Sequence, residues 1–287
     1  MPRRSSKLKL TPPKFTIAII LGLLVVLVIL WIKRPRETPI YYYPKSSFKI
    51  PEDILKERIA TYSAISVRIP VVMYHYVENV DRILDPSRAG LAISPQTLES
   101  QIKKLKSDGY TFLFVRDVPG ILTDPKTIPP KPIVLTFDDG YEDFYLNALP
   151  LLKKYNAKAT IYVVYNFINK RGNPPYLTAD ELIKIKDSGL VEIASHTLNH
   201  AYLKDLKFET AKKEIFDSKT KLEKLLGTSV PSFAYPYGAF SKESLDLAKA
   251  AGYTNAVSVI PGVNQSGDNL YYLYRLRPGF LDNKKYF

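Results

Sequence analysis

The sequence predicts an α/β fold in which a parallel β-sheet, closed or nearly closed into a barrel, is surrounded by helices. From Ile69 onward, strand-like and helix-like segments alternate about six or seven times. Capping side chains and glycines mark the ends of the helical segments. No Gly-x-Gly-x-x-Gly sequence follows the first strand, so the open sheet of dinucleotide-binding proteins lacks its characteristic motif.

Short apolar runs predict the strands, which are Ile69–Val77, Thr111–Val115, Ile133–Phe137, Ala159–Val164, Val191–Ala194, Ser232–Tyr235, Thr254–Val259 and Tyr272–Leu276. Apolar residues at helical spacing predict the helices Pro95–Ser107, Leu146–Tyr155, Phe208–Leu226 and Lys242–Ala251. A further helix begins after Thr178, which forms a capping box with Glu181, and ends at Gly189.

An uncharged apolar run, residues 15–32, precedes this alternation. A helix of this length measures about 27 Å, which is close to the thickness of the hydrocarbon core of a bilayer. The run is long for a signal peptide and no Ala-x-Ala site follows it, so a retained transmembrane signal anchor is favoured over a cleaved signal peptide. Five basic residues precede the run and three follow it, which predicts a cytoplasmic N-terminus.

The predicted organisation has four parts. They are a basic cytoplasmic tail at 1–14, the transmembrane anchor at 15–32, a stem at 33–68 with a short helix near Asp53–Ala60, and a folded domain at 69–287. With this topology, the domain is expected to lie outside the cytoplasmic membrane.

The composition excludes several kinds of chemistry. The chain has no cysteine, which rules out disulfides, cysteine-ligated zinc, iron–sulfur clusters and thiol nucleophiles. The net charge is +13, but eight basic residues and no acidic residue lie within 1–36, beside the apolar run. This distribution is typical of membrane topology. Since no nucleic-acid-binding motif stands out, nucleic acid is not an expected partner.

Uncommon polar residues follow the predicted strands at their carboxyl ends. They include the three histidines of the chain and a pair of adjacent aspartates, namely His75, Asp138, Asp139, His196 and His200. The turn Tyr235-Pro236-Tyr237-Gly238 ends another strand in the same way. In a βα barrel these strand ends form one face, and that face carries the active site.

His196 and His200 are four residues apart, so on a helical turn both rings face one way and can bind one ion. With Asp139 they would form the two-imidazole, one-carboxylate ligand set of a hydrolytic zinc site. Side chains alternate along a strand, so the turn at Gly140 must bend the backbone for Asp138 and Asp139 to reach one site.

The other residues of this face suit the remaining chemistry of an amide hydrolase. Asp138 would accept the proton of the attacking water, His75 would protonate the leaving amine, and the Tyr237 N–H would stabilise the oxyanion. Taken alone, each signal has an ordinary explanation: a core or capping histidine, an acidic turn, or a proline turn. Their joint position at one face favours a site.

Three motifs resemble those of the polysaccharide deacetylase (NodB-homology, carbohydrate esterase 4) family. They are Thr136-Phe137-Asp138-Asp139-Gly140, His196-Thr197-x-x-His200 and Tyr235-Pro236-Tyr237-Gly238, in the order and spacing of the family. The resemblance covers residues 69–280. It implies a distorted (β/α)7 barrel and metal-dependent removal of N-acetyl groups from a glycan.

By this resemblance Asp138 is the catalytic base, and Asp139, His196 and His200 are the metal ligands. Pro236 and Tyr237 correspond to the groove wall and the oxyanion donor. Zinc is the expected ion, and the same ligand set also accepts cobalt, nickel or iron.

Ala234 departs from the family pattern, because an arginine is usual at this position, two residues before the motif proline. Another group must then orient Asp138. Arg275 or Arg277, both in or beside the last predicted strand, is expected to do so.

A second departure is that no histidine follows His200, so the usual C-terminal acid is missing. In the subgroup of poly-β-1,6-N-acetylglucosamine deacetylases, the acid histidine lies on an early strand, in a sequence similar to Val72-Met73-Tyr74-His75-Tyr76-Val77. The resemblance to this subgroup implies that His75 is the acid.

The sequence thus predicts a membrane-anchored hydrolase that removes N-acetyl groups from a cell-surface polysaccharide of the poly-N-acetylglucosamine type. A peptidoglycan or chitooligosaccharide deacetylase and an O-acetyl esterase are alternatives within the hydrolases. A non-catalytic glycan-binding wall protein on a degenerate scaffold is the alternative from another class. The expected partners are the acetylated glycan and the membrane.

Overall fold

The computed structural model describes residues 49–55 and 66–282. The predicted cytoplasmic tail, the membrane anchor and most of the stem lie outside the described residues. Residues 52–55 are helical, and the rest of the short helix predicted near Asp53–Ala60 also lies outside them. Within the described ranges, no helix combines the length and the apolar character that a membrane span requires.

Strands and helices alternate along the described chain. The strands are β1 (Val67–Arg68), β2 (Val71–Tyr74), β3 (Tyr76–Val77), β4 (Ala92–Ile93), β5 (Thr111–Leu113), β6 (Pro132–Phe137), β7 (Ala159–Val163), β8 (Val191–Ser195), β9 (Ser232–Ala234), β10 (Asn255–Pro261), β11 (Asn264–Gln265) and β12 (Leu273–Arg275). The α-helices are α1 (Pro86–Ala89), α2 (Pro95–Ser107), α3 (Val118–Thr123), α4 (Leu149–Tyr155), α5 (Ala179–Asp187), α6 (Phe208–Leu226) and α7 (Lys242–Ala250).

In the described chain, seven parallel strands form the central sheet in the order β2, β6, β7, β8, β9, β10 and β12, and β5 pairs with the start of β6. The two ends of the sheet meet at Leu276, which directly follows β12. Its N–H donates to the carbonyl of Val71, and its carbonyl accepts from the N–H of Met73, both at 2.8 Å. The sheet is therefore a nearly closed barrel, and the predicted α/β class is confirmed.

The interior of the barrel is filled by side chains. Each barrel strand contributes one fully buried residue to a shared cluster, which contains Val71, Val134, Tyr162, Ala194, Ala234, Val257 and Leu273. The neighbouring positions of β6, Ile133 and Leu135, belong instead to the larger cluster that includes the helix residues. All six residues of β6 are buried because the interior covers one face and the helices cover the other. A packed interior leaves the strand ends as the place for a site.

Local capping explains where several helices begin. The Ser94 hydroxyl accepts a hydrogen bond from Thr97 N–H at the start of α2, and Thr178 and Glu181 form the predicted capping box of α5. The helices α2 and α6 have the predicted bounds. α6 ends at Gly227, whose φ of 65° is the left-handed conformation that glycine adopts without strain.

Two predicted elements differ from the structure by more than one or two residues at an end. The strand predicted over Ile69–Val77 is divided at His75, because β2 pairs with β6 whereas β3 pairs with β4. The helix predicted from Leu146 begins as an α-helix at Leu149, after a π-helical turn over Phe144–Ala148. Pro150 explains the later start, since proline lacks an N–H and is accommodated in the first turn of an α-helix.

Candidate active site

Asp139, His196 and His200 converge at the carboxyl ends of β6 and β8. One ligand atom of each residue lies within 4.8 Å of the others. The Asp139 Oδ1 atom is 3.5 Å from Nε2 of His196 and 3.1 Å from Nε2 of His200. This oxygen is buried, and in the described part of the chain it has no partner in hydrogen-bond geometry. Three donor atoms that face one point and leave a buried oxygen unsatisfied fit a divalent cation.

A hydrogen bond selects the tautomer of the neutral His196 ring. Its Nδ1 atom lies 2.8 Å from the carbonyl oxygen of Ala234. Because a carbonyl can only accept, Nδ1 is the protonated nitrogen of the neutral tautomer, and in that tautomer the Nε2 lone pair lies on the side of Asp139. The main chain of Ala234 thus contributes to the site, although its side chain does not replace the usual arginine.

Left-handed backbone conformations direct the ligands. Asp139 and Gly140 have φ of 76° and 78°, so the chain turns at Asp139 itself as well as at the predicted Gly140. Thr197 and His200 have φ of 67° and 58°. The two histidines therefore lie on an irregular turn, and the regular helical turn predicted from their spacing is wrong. Such conformations cost free energy for residues with a Cβ and are concentrated at functional sites.

Glu214 of α6 holds the turn between the two histidines. Its buried carboxylate accepts hydrogen bonds from the N–H groups of Leu198 and Asn199 at 3.0 and 2.9 Å, and from the Asn199 side chain at 2.6 Å. Glu214 was not among the predicted site residues, because an acid on a helix rich in Lys and Glu is typical of a solvated face. The sequence feature that could have identified Glu214 as buried is its position directly before Ile215, on the apolar face of α6.

A buried ion pair lies next to Asp139, His196 and His200, called here the ligand cluster because they could hold a metal ion. The two carboxylate oxygens of Asp138 accept hydrogen bonds of 2.8 Å from Nη1 and Nη2 of Arg275. Arg275 Nε also donates to the Ser258 carbonyl at 2.7 Å, and Nη1 to Thr136 Oγ1 at 3.2 Å. Burial by itself would raise the pKa of Asp138, but the charge and hydrogen bonds of Arg275 outweigh it and hold the pKa below its ordinary value.

His75 faces Asp138 from the break between β2 and β3. Its Nε2 atom lies 4.0 Å from Asp138 Oδ2, and its side chain is 8% exposed. Burial lowers the pKa of His75, the two aspartates oppose this shift, and the charges of Arg275 and Arg277 reinforce it. Of the two arginines considered from the sequence, Arg275 forms the paired hydrogen bonds with Asp138.

The turn after β9 forms a wall beside the ligand cluster. Pro236 is buried, whereas Tyr237 is 43% exposed and has a φ of 59°. The Tyr237 ring lies edge to face with the His200 ring at a centroid distance of 4.5 Å. The structure therefore brings together all the residues predicted for the site: His75, Asp138, Asp139, His196, His200, Pro236, Tyr237 and Arg275.

Relatives of known sequence point to one family. Residues 126–256 match the family model described as Polysaccharide deacetylase. The Bacillus subtilis (strain 168) protein named "Putative polysaccharide deacetylase YxkH" is 31% identical over 210 residues, which are 73% of this chain and 71% of that protein. The Poly-beta-1,6-N-acetyl-D-glucosamine N-deacetylase of Staphylococcus aureus (strain MSSA476) is 30% identical over 195 residues, 64% of this chain and 67% of that protein.

Solved structures agree with this assignment. The Streptococcus pyogenes deacetylase PplD, determined in complex with acetate, is 33% identical with a TM-score of 0.69, over 74% of this chain and 93% of that chain. IcaB from Ammonifex degensii shares the fold. It is 22% identical, with a TM-score of 0.67, over 75% of this chain and 94% of that chain. The nearly closed barrel is thus consistent with the (β/α)7 fold that the motifs imply. The chain is a hydrolase that belongs to the polysaccharide deacetylase family.

Proposed function

We propose that this chain is a metal-dependent N-deacetylase that acts on a cell-surface polysaccharide of the poly-N-acetylglucosamine type. The observation that carries the proposal is the convergence of Asp139, His196 and His200 beside the arginine-paired Asp138. The substrate class is supported by a relative, 30% identical, whose name is that of a poly-beta-1,6-N-acetyl-D-glucosamine N-deacetylase. His75 directly follows β2, an early strand, which agrees with the position that the resemblance to this subgroup implies for the acid.

Asp139, His196 and His200 are the residues that would hold the cation. Zinc is the expected ion, and cobalt, nickel or iron would suit the same ligands. A bound cation supplies a Lewis acid that polarises the acetamide carbonyl and lowers the pKa of water. The imidazole of His196 is already held by Ala234 in the tautomer that such a site needs.

The proton transfers fall to Asp138 and His75. Asp138, kept ionised by Arg275, accepts a proton from the water that attacks the acetamide carbon. The Tyr237 N–H donates a hydrogen bond to the carbonyl oxygen as it becomes negative. His75 protonates the amide nitrogen as the carbon–nitrogen bond breaks, and its lowered pKa makes its protonated form a stronger acid. The products are acetate and a glycan with a free amine.

We also propose that residues 15–32 anchor the protein in the cell membrane as a single span. The uncharged run has the length of a span, and the excess of basic residues before it favours a cytoplasmic N-terminus. The folded domain then lies outside the membrane, on the side where a surface polysaccharide is found.

Substitution of Asp138 tests the proposed function in the full-length protein. We expect Asp138→Asn to lower acetate release from poly-β-1,6-N-acetylglucosamine by about 10²–10⁴-fold, because the general base is lost. Metal bound per chain, measured by elemental analysis, should not change. Asp139→Asn is the matched control, and it should lose metal as well as activity.

Different results would lead to different conclusions. Full acetate release by Asp138→Asn would remove Asp138 from the role of base. Acetate release by the wild type from peptidoglycan, chitooligosaccharides or O-acetylated glycans alone would contradict the proposed substrate. A wild-type protein that binds glycan but holds no metal and releases no acetate would be a binding protein.

A further inference from the structure

The segment that precedes the barrel is fixed onto it. Ile54 is 5% exposed and belongs to the main core cluster, and Ile50 packs against the same cluster. The Leu55 N–H donates to the Pro51 carbonyl at 3.0 Å, which closes a helical turn. Residues 49–52, called here the pre-barrel segment, are therefore held in a defined position on the folded domain.

A pocket of about 200 Å³ lies between the pre-barrel segment and the loops that follow β8 and β9. The pre-barrel segment lines one side, and Tyr202, Lys204 and residues 238–240 line the other. The volume is below that of pockets for drug-sized ligands, so the pocket is suited to a single small unit.

The pocket adjoins the candidate active site. Gly238 and Ala239 in its lining directly follow Tyr237. The Tyr202 ring lies 6.1 Å from the Tyr237 ring, which in turn lies 4.5 Å from the ring of the ligand His200. The rings of Tyr202 and Tyr237 thus connect the pocket lining to the ligand cluster.

The lining has the chemistry of a sugar site. Pro51 and Tyr202 offer apolar surface for the C–H face of a pyranose ring, and polar side chains at the rim can bond its hydroxyl groups. The exposed charged residues are Lys49, Lys204 and Glu52. Because the rim carries two positive charges and one negative charge, it favours binding of a neutral N-acetylated unit over the cationic amine that deacetylation produces.

We propose that this pocket is a glycan subsite, which binds an N-acetylated sugar near the unit that is being deacetylated. The inference rests on the proposed function and extends it, because it gives the pre-barrel segment a part in substrate binding. It also implies that a chain whose neighbouring units still carry their acetyl groups is the better substrate.

Chain-length dependence tests the subsite. The full-length protein is assayed for acetate release from β-1,6-linked N-acetylglucosamine oligomers, from the dimer to the pentamer. We expect kcat/KM of the wild type to rise with oligomer length. Tyr202→Ala should lower the ratio of pentamer kcat/KM to dimer kcat/KM about tenfold, because the contact of the Tyr202 ring with the sugar is lost. Tyr202→Phe, which keeps the ring, should retain the ratio.

The charge at the rim is tested with Lys204→Glu. We expect this variant to raise kcat/KM on a partly deacetylated pentamer relative to the fully acetylated one. Lys213→Glu, an equal charge change at an exposed position of α6, is the control and should leave this preference as in the wild type.

Two negative results are distinguishable. If the wild type releases acetate but Tyr202→Ala keeps the same ratio of pentamer to dimer kcat/KM, the subsite is wrong and the proposed function stands. If the wild type releases no acetate from any oligomer or polymer, the proposed function fails, and the subsite fails with it.

Discussion

At the scale of single residues, the contact between Asp138 and Arg275 is the one on which the proposed mechanism depends most. Both side chains are at least 96% buried, and both carboxylate oxygens are engaged by one guanidinium group. Loss of one member of such a pair leaves an unpaired buried charge, which costs about 3–5 kcal/mol. Arg275→Ala therefore tests stability and activity together, and a milder change is needed to separate them.

Arg275→Lys provides that milder change. Lysine keeps the positive charge but lacks the planar fork that binds both oxygens. We expect kcat for acetate release to fall about 10–100-fold with KM little changed, because Asp138 is no longer held in one orientation. Arg116→Lys, at an exposed position, is the control. An unchanged kcat for Arg275→Lys would show that this contact does not orient the base.

Some site residues could be identified from the sequence and others could not. The difference lies in whether a short local motif marks the residue. Asp139, His196 and His200 belong to short motifs at strand ends, so local sequence was enough to name them. Arg275 was named as one of two arginines only because Ala234 replaced the usual one. Glu214 contacts a turn 15 and 16 residues before it, and no short motif marks such a contact.

At the scale of elements, α6 holds the turn between His196 and His200 through Glu214. We expect Glu214→Gln to weaken metal affinity about 10–100-fold, since a neutral amide cannot accept all the hydrogen bonds that hold the turn. Competition with a chromophoric chelator measures the affinity. Glu209→Gln, an exposed acid in the first turn of the same helix, is the control. Equal affinity for the two variants would contradict the positioning role.

The turn after β9 depends on Gly238. Its φ is 64°, and a Cβ there would lie 2.3 Å from Cγ2 of Val259. Gly238→Ala should lower the free energy of unfolding by about 2–5 kcal/mol, from backbone strain and overpacking together. Gly227→Ala has the same backbone strain, since the φ of Gly227 is 65°, but a Cβ there would have no heavy atom within 4 Å. We therefore expect Gly227→Ala to lower the free energy of unfolding by about 1–2 kcal/mol. Urea unfolding compares them, and equal losses would show that the Val259 contact is unimportant.

At the scale of the whole molecule, the sequence predicted the class of fold and a closed or nearly closed barrel, but not the residues that join the two ends of the sheet. The bonds of Leu276 to Val71 and Met73 join the two ends of the sheet, and apolar periodicity carries no information on which distant strands pair. The division of the first strand at His75 was missed for the same reason. Its two halves are apolar throughout and differ in their partner strands alone.

Asp143 makes the stability of the folded domain depend on pH. Burial raises its pKa to about 7, although the Val77 N–H donates to it at 2.8 Å. The folded state therefore retains a proton that the unfolded state, with an ordinary pKa near 4, releases. The stabilising contribution is complete below about pH 4 and is lost as the pH rises to about 7.

Asp143→Asn removes this titration and keeps an acceptor for the Val77 N–H. We expect the variant to gain stability relative to the wild type as the pH rises from about 4 to 7, by about 1–3 kcal/mol in total. Urea unfolding across this pH range measures the difference. Asp187→Asn, at an exposed position, is the matched control for the loss of one carboxylate. A constant difference between Asp143→Asn and wild type would contradict the raised pKa.

The place of β12 in the chain has a consequence for biosynthesis. When a ribosome has delivered the chain as far as β10, all three motifs have been made, yet the guanidinium that pairs with Asp138 and the residue that joins the sheet ends have not. A nascent polypeptide, or one cleaved before residue 273, therefore contains every motif residue but lacks Arg275 and the contacts that close the barrel. We therefore expect acetate release only from molecules whose translation has passed Leu276.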